Sequence, residues 1–140
     1  MNDLNTIPIH NELDIIEARM HVRKLARETG LDLFDQARIS LAASTMAIIL
    51  GLEKSGTGAI SLSQVDDGER LGVQVICTRN DASVHDLAEG VLDDARRMVD
   101  DLGVTKLPDG VAVTLIKWAA KNRRRAGDEP DRPSFAIMGV

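Results

Sequence analysis

The sequence predicts a two-layer α+β sandwich, in which one mostly antiparallel sheet carries three helices on one face. Three observations predict it. Residues 35–52 turn apolar on nearly every side from Leu41 onward, and a helix that is apolar all round is a buried one. Two pairs of alternating segments, each joined by a glycine-containing turn, read as hairpins, and hairpins pair antiparallel. Helical and strand patterns follow one another in the order (β)ααββαββ, which segregates helices from hairpins and argues against parallel crossovers.

In chain order, Ile7 and Ile9 alternate within residues 1–10 and predict a first edge strand, where Pro8 needs no amide. Asn11 and Asp14 stand at capping-box spacing. Ile15, Ala18, Val22, Leu25 and Ala26 then recur at helical spacing until Gly30. The outer face of that helix carries Glu17, Arg19, Arg23, Lys24, Arg27 and Glu28, which by residue type alone is a solvated face. Asp32 or Asp35 caps the central helix, and Ser55-Gly56 supplies its left-handed stop. Residues 59–65 and 71–77 form a hairpin around Asp66-Asp67-Gly68. A second capping pair, Ser83 and Asp86, is expected to open a third helix. Leu87, Val91, Ala95, Met98, Val99 and Leu102 line it, Gly90 weakens it, and Gly103 ends it. Residues 104–107 and 111–118 make the second hairpin around Pro108-Asp109-Gly110. A domain spanning residues 1–118 is therefore expected, followed by a tail over 119–140.

Composition narrows the function. At 140 residues, 44% hydrophobic, the chain can bury one core without disulfide staples. The formal net charge of −5 opposes a nucleic-acid surface, which must neutralise phosphates. The basic run Lys121, Arg123, Arg124 and Arg125 is offset by Asp128, Glu129 and Asp131. No apolar run reaches the length of a membrane span, because Glu53 and Lys54 close the longest. A lone cysteine and the lack of a signal-type leader predict a cytoplasmic protein. His10, His21 and His85 are dispersed and make no metal-ligand spacing, so no metal is expected. Cys77 falls at the inward phase of its strand and reads as a small core residue. Trp118 reads as a plug at the sheet edge. In the tail, Phe135, Ile137 and Met138 are apolar without need of solvent, which suits docking on this domain, a twin subunit or a partner.

Several words of the sequence resemble the small serine/threonine kinases and anti-sigma factors of the GHKL superfamily, in particular the stress-response switch kinases. These words are Asp14-Ile15-Ile16-Glu17-Ala18-Arg19, Asp35-Gln36-Ala37-Arg38-Ile39, Ser63-Gln64-Val65, Arg97-Met98-Val99-Asp100-Asp101 and Ile116-Lys117-Trp118. The resemblance implies a sandwich of the GHKL (Bergerat) type and spans roughly residues 9–118.

The resemblance also implies a nucleotide site, and there the sequence departs from it. In the family the central helix carries a Glu that prepares the attacking hydroxyl and an Asn that ligates Mg²⁺. Those positions fall here on Thr45 and Ile49. An alkyl group offers no lone pair to a hard cation, and a threonine hydroxyl is far too weak a base. The family's Asp-x-Gly-x-Gly box falls on Arg79, Asp81 and Ser83, so a guanidinium with no acceptor replaces the carboxylate that receives the adenine amine. The glycine-rich lid has no counterpart, since Asp86 to Gly90 runs directly into Val91-Leu92-Asp93-Asp94. The expectation is a non-catalytic pseudokinase of signalling by partner switching. As the resemblance implies, it would bind a STAS-domain protein, a sigma factor or a PP2C-type phosphatase regulator without ATP. Arg19, Arg23 and Arg27, together with Phe135, Ile137 and Met138, are the candidate partner-binding residues. The alternative is a working serine/threonine kinase in which Asp81, Asp86, Asp93 and Asp94 rearrange to hold Mg²⁺.

Overall fold

The computed structural model describes residues 5–120. Strand β1 (Asn5–Ile9) lies at one edge of a five-stranded sheet, with Pro8 opposite Ala59 of the second strand. Helix α1 (Glu12–Thr29) starts where the Asn11 side chain accepts the amide of Asp14 at 3.0 Å. The Asp14 carboxylate reaches back to the amide of His10 at 2.7 Å, one residue further than a capping box requires. Gly30 closes α1 with φ 102°.

Helix α2 (Leu33–Ile49) is capped by Asp32, whose carboxylate accepts the Asp35 amide at 2.8 Å. Its end differs from expectation. Instead of running on to Ser55-Gly56, the chain turns at Gly51, which takes φ +70°, a conformation that costs a residue with a Cβ about 1 kcal/mol or more. A separate turn of helix, α3 (Leu52–Ser55), follows. Nor is α2 buried all round: Ile39, Ala42, Ala43, Met46 and Ala47 point inward, but Leu41 and Ile48 are 48% and 58% exposed.

Strands β2 (Gly58–Asp66) and β3 (Leu71–Arg79) form the first hairpin, in register from Gly58 opposite Arg79 to Asp66 opposite Leu71. The amides of Glu69 and Arg70 both donate to the Asp67 carboxylate in its turn and hold that carboxyl below the usual range.

The third helix is the clearest correction. Ser83 and Asp86 do make the capping box, but it opens only a single 3-10 turn over Val84–Asp86. Gly90 then adopts φ +81°, which ends any continuous helix there. Helix α4 is confined to Asp93–Met98, with Ala95 its buried residue. Asp100, Leu102 and Gly103, expected at the helical end, lie in or beside strand β4 (Asp101–Leu107), where Leu102 pairs with Leu115 of β5 (Gly110–Trp118). The sheet order is β1-β2-β3-β5-β4, antiparallel throughout, with β5 interior as its two-sided apolar pattern implies.

The core lies between this sheet and the layer of α1 and α2. Alternate residues Ile60, Leu62, Val73, Val75, Cys77, Val111, Val113 and Leu115 face the helices and are buried, as are Ile15, Ala18, Val22 and Ala26 above them. Burying each large aliphatic side chain contributes about 1.5–3 kcal/mol. Cys77 is part of this core, its thiol directed at the Ala43 carbonyl and pushed up to about 12 by burial, which leaves it neutral and unreactive. Among the described residues no helix is long and apolar enough to cross a membrane.

Gly110 begins β5 against the backbone of Arg79 and Asn80, and a Cβ there would overlap both. Gly110→Ala should lower the free energy of urea unfolding by about 1–3 kcal/mol. Gly103→Ala, with nothing within 4 Å of its Cβ position, should be neutral. Equal effects at the two sites would show that this contact does not constrain the fold.

Candidate functional site

The residues at which the sequence departs from the GHKL pattern meet at one end of the molecule, where the last turn of α2 faces the end of β3. A cavity of about 250 Å³ opens there, lined by Ile49, Leu50, Arg79, Ala82, Ser83, Asp86, Leu87 and Val111. Ile49 is half-buried on its wall; Thr45, one turn earlier on α2, is half-buried and does not line it.

Arg79 organises this end. As an inward-phase residue at the last position of β3, it directs its guanidinium to the helix layer, where Nη1 donates to the Leu50 carbonyl at 2.6 Å. Its Nε donates to Asp81 Oδ1, also at 2.6 Å, and Thr57 Oγ1 donates to the same oxygen at 3.1 Å. The cation therefore satisfies an orphan carbonyl at the C-terminus of α2, where the helix dipole also favours positive charge. The Arg79 bond and the Thr57 hydroxyl hold the Asp81 carboxyl below its usual range, and Asp81 in turn raises Arg79 above its own. Gly51 makes room for the arrangement, since a Cβ there would lie 3.0 Å from Arg79 Nη1.

The other carboxylates are engaged locally. Asp86 Oδ2 accepts the Ser83 amide at 2.8 Å. Asp94 pairs with Arg97 on α4. Among the described residues, no three His, Cys, Asp or Glu side chains gather as a metal site.

Three of the words that match the family, those containing Asp35, Asp100 and Lys117, meet at the opposite end. Lys117 Nζ lies 3.5 Å from Asp35 Oδ1 and 3.3 Å from Asp100 Oδ1, which ties the start of α2 to the ends of β5 and β4. The Trp118 amide donates to Asp100 at 2.7 Å, its indole reaches Asp101 at 3.3 Å, and Arg70 stacks 4.6 Å above its ring. Trp118 is therefore not a plug at the sheet edge: it ends the interior strand β5, opposite Gly72 of β3. Sequence reasoning identified these words but not their convergence, because the contacts link residues distant along the chain.

Arg19, Arg23 and Arg27 are all exposed on α1, beside exposed Leu13, Ile16 and Met20. Sequence periodicity does not signal this apolar stripe, since Ile16 and Met20 fall outside the inward helical phase of α1. Phe135, Ile137, Met138 and the basic run from Lys121 lie outside the described residues.

Arg79→Ala removes the cap on Leu50 and the pair with Asp81. It should cost about 1 kcal/mol, at the low end for a charged hydrogen bond because the side chain is partly solvated. The Asp81 contribution has a definite sign. Its native value lies below the unfolded one, so the stabilisation is complete above the unfolded value of about 3.9 and is lost as pH falls through the native value. Urea melts of wild type and Asp81→Asn should therefore converge on acidification; a constant gap down to the acid limit would contradict this pairing.

No protein-family model matches the chain. It is 29% identical to the serine/threonine-protein kinase RsbT of Bacillus subtilis (strain 168) over 133 residues, covering 84% of this chain and 98% of that one. Among solved structures it is similar to the RsbU and RsbW domains of Rv1364c from Mycobacterium tuberculosis, with a TM-score of 0.62 and 19% identity. That match covers 86% of this chain, which spans 34% of the other. The antiparallel sheet and the helical layer agree with that structural likeness, and the similarity to the kinase RsbT agrees with the resemblance that the sequence words carry.

Proposed function

We propose that this chain is a regulatory protein-binding module that has kept the scaffold of a partner-switching kinase and works without ATP. Its partner on this reading is a STAS-domain protein, a sigma factor or a PP2C-type phosphatase regulator. The observation that carries the proposal is the Arg79 tether. At the position where the resemblance implies an adenine-accepting carboxylate, a guanidinium is bound to Leu50 and Asp81, and it has donors but no acceptor to offer a base amine.

The surroundings support the same reading. Ile49 presents alkyl surface where a magnesium ligand is required, and the hard cation demands oxygen. The cavity, at about 250 Å³, lies below the range of roughly 300–1,000 Å³ typical of ligand pockets. Residues 87–92 connect the 3-10 turn to α4 without room for a phosphate-covering lid.

The second reading, an active serine/threonine kinase, is favoured by one finding: the relative RsbT is named as such a kinase. On that reading Asp81 and Asp86 would leave their present partners to hold a metal, and Asp93 and Asp94 would contribute from the start of α4.

Calorimetric titration of the dialysed full chain with Mg-ATP and Mg-ADP separates the two. The expected result is no heat and no shift in melting temperature at millimolar nucleotide, with no labelled phosphate passed to a STAS-type protein. Micromolar nucleotide binding, or phosphate transfer abolished by Asp86→Ala, would establish the kinase and end the proposal.

A further inference from the structure

Among the described residues, every exposed large apolar side chain except Val104 of β4 lies on α1 or α2. Leu13, Ile16 and Met20 stand on the outer face of α1, at 73%, 49% and 67% exposure. On α2 Phe34, Leu41 and Ile48 recur every seven residues, at 74%, 48% and 58%. These two helices pack side by side, with a cleft between them. Ile16 and Arg19 line the cleft from α1, Ser44 and Ile48 from α2, with a volume of about 250 Å³. At seven-residue spacing Phe34, Leu41 and Ile48 lie along one side of α2.

Charge is uneven along α1, although Arg19 lines the cleft and Glu17 the depression beyond it. At the beginning of the cleft stand Glu12 and Glu53, and Glu53 Oε1 is buried with no hydrogen-bond partner. A buried acceptor left unsatisfied is costly, and it adds to the negative character of this end. Toward the other end of α1, Arg23, Lys24 and Arg27 are all exposed, around a second depression beside Met20.

We infer that the cleft between α1 and α2 is the docking site for an amphipathic helix of a partner protein, running parallel to α1 and acidic in its C-terminal half. This deepens the protein-binding reading above and rests on it. The N-terminus of such a helix, with its positive dipole, meets the negative charges of Glu12 and Glu53 at the start of the cleft. Its acidic second half meets Arg23, Lys24 and Arg27, and its apolar stripe covers Ile16, Met20 and Ile48 in the manner of helix-in-groove recognition. A second copy of this chain fits less well. A twofold axis would lay its α1 antiparallel, so side-chain charges would match while the helix dipole opposed Arg23 and Arg27. A partner helix of the stated polarity satisfies both.

The test uses two stapled helices of about 18 residues, long enough for some 27 Å of contact. Both have the same composition and a leucine stripe at positions i, i+3 and i+7. One carries Lys in its first half and Glu in its second; the other has the order reversed. Titrated against the full chain by fluorescence anisotropy, the first should bind at least about tenfold more tightly than the second. Met20→Glu and Ile48→Glu, both at exposed positions, should abolish binding without lowering the melting temperature. Arg23→Glu should shift preference toward the reversed helix. If Ile48→Glu proves unstable, Met20→Glu and Leu13→Glu carry the same test. Absence of binding, equal binding of both helices, or binding untouched by these variants would overturn the inference. So would a dimer in sedimentation that Met20→Glu dissolves, which would give the face to a second copy. The nucleotide titration reads the other proposal separately: helix binding alongside Mg-ATP binding removes the ATP-independent reading and leaves the cleft, whereas silence toward both removes the cleft alone.

Discussion

The fold depends on the burial of one aliphatic stripe of the sheet beneath α1 and α2. Ile60, Leu62, Val73, Val75, Val111, Val113 and Leu115 supply that stripe, and Ile39, Met46 and Val22 fill it from the helical side. Because side chains alternate along strands, this one-sided burial fixes the register of each hairpin: a slip by one residue would expose the whole set. It also explains the polar character of the opposite face, where Ser61, Gln74 and Thr114 are only partly buried. Everything chemically distinctive is displaced to the ends of the strands and the outer surface of the helices.

Both ends of α2 are fastened to the sheet by cations that the strands deliver. Lys117 from the end of β5 bridges Asp35 in its first turn, and Arg79 from the end of β3 caps Leu50 at its last. The two fastenings differ in electrostatic logic. Arg79 meets the negative end of the helix dipole directly, whereas Lys117 approaches the positive end and is tolerated through the carboxylates of Asp35 and Asp100. The family-matching words around Asp35, Asp100 and Lys117 gather at the Lys117 end, whereas Ile49 and Arg79 stand at the other end beside the start of α1, where the Asp14 word lies. One helix thus carries a kept anchor and an altered one.

Much of the fold was legible because turn and cap chemistry is local. Asp67 between two alternating segments, Asn11 three residues before Asp14, and Asp32 before an apolar run each act within four residues and appeared as expected. The third helix was misread because its apolar residues match a helical period for reasons that are not helical. Leu87 and Leu92 pack on the core from irregular backbone, and Leu102 faces Leu115 from a strand. Short apolar patterns do not separate these cases. At the candidate site, Ile49 and Arg79 were placed by resemblance, but the bond from Arg79 to the Leu50 carbonyl was not readable. It joins a side chain to a backbone atom 29 residues away. The exposure of Leu41 and Ile48 was equally hidden, since composition marks α2 as apolar without saying which stripe its neighbours leave uncovered.

The altered anchor and the proposed cleft share the last turn of α2. Ile48 faces the cleft, Ile49 faces the cavity, and Leu50 accepts from Arg79. Gly51 then reverses the chain so that Glu53 returns to the cleft. A tether on Leu50 therefore fixes the residues on either side of it. Holding this turn in one arrangement by an internal cation removes the ordering cost that a mobile turn would add to every binding event. If a nucleotide instead occupied the cavity, its binding energy would be coupled to the same turn, and partner affinity would follow nucleotide state. On the proposed reading Arg79 stands as a permanent internal ligand in place of an exchangeable one, the cleft is set in a single state, and partner choice passes to the abundance and charge pattern of the partners themselves.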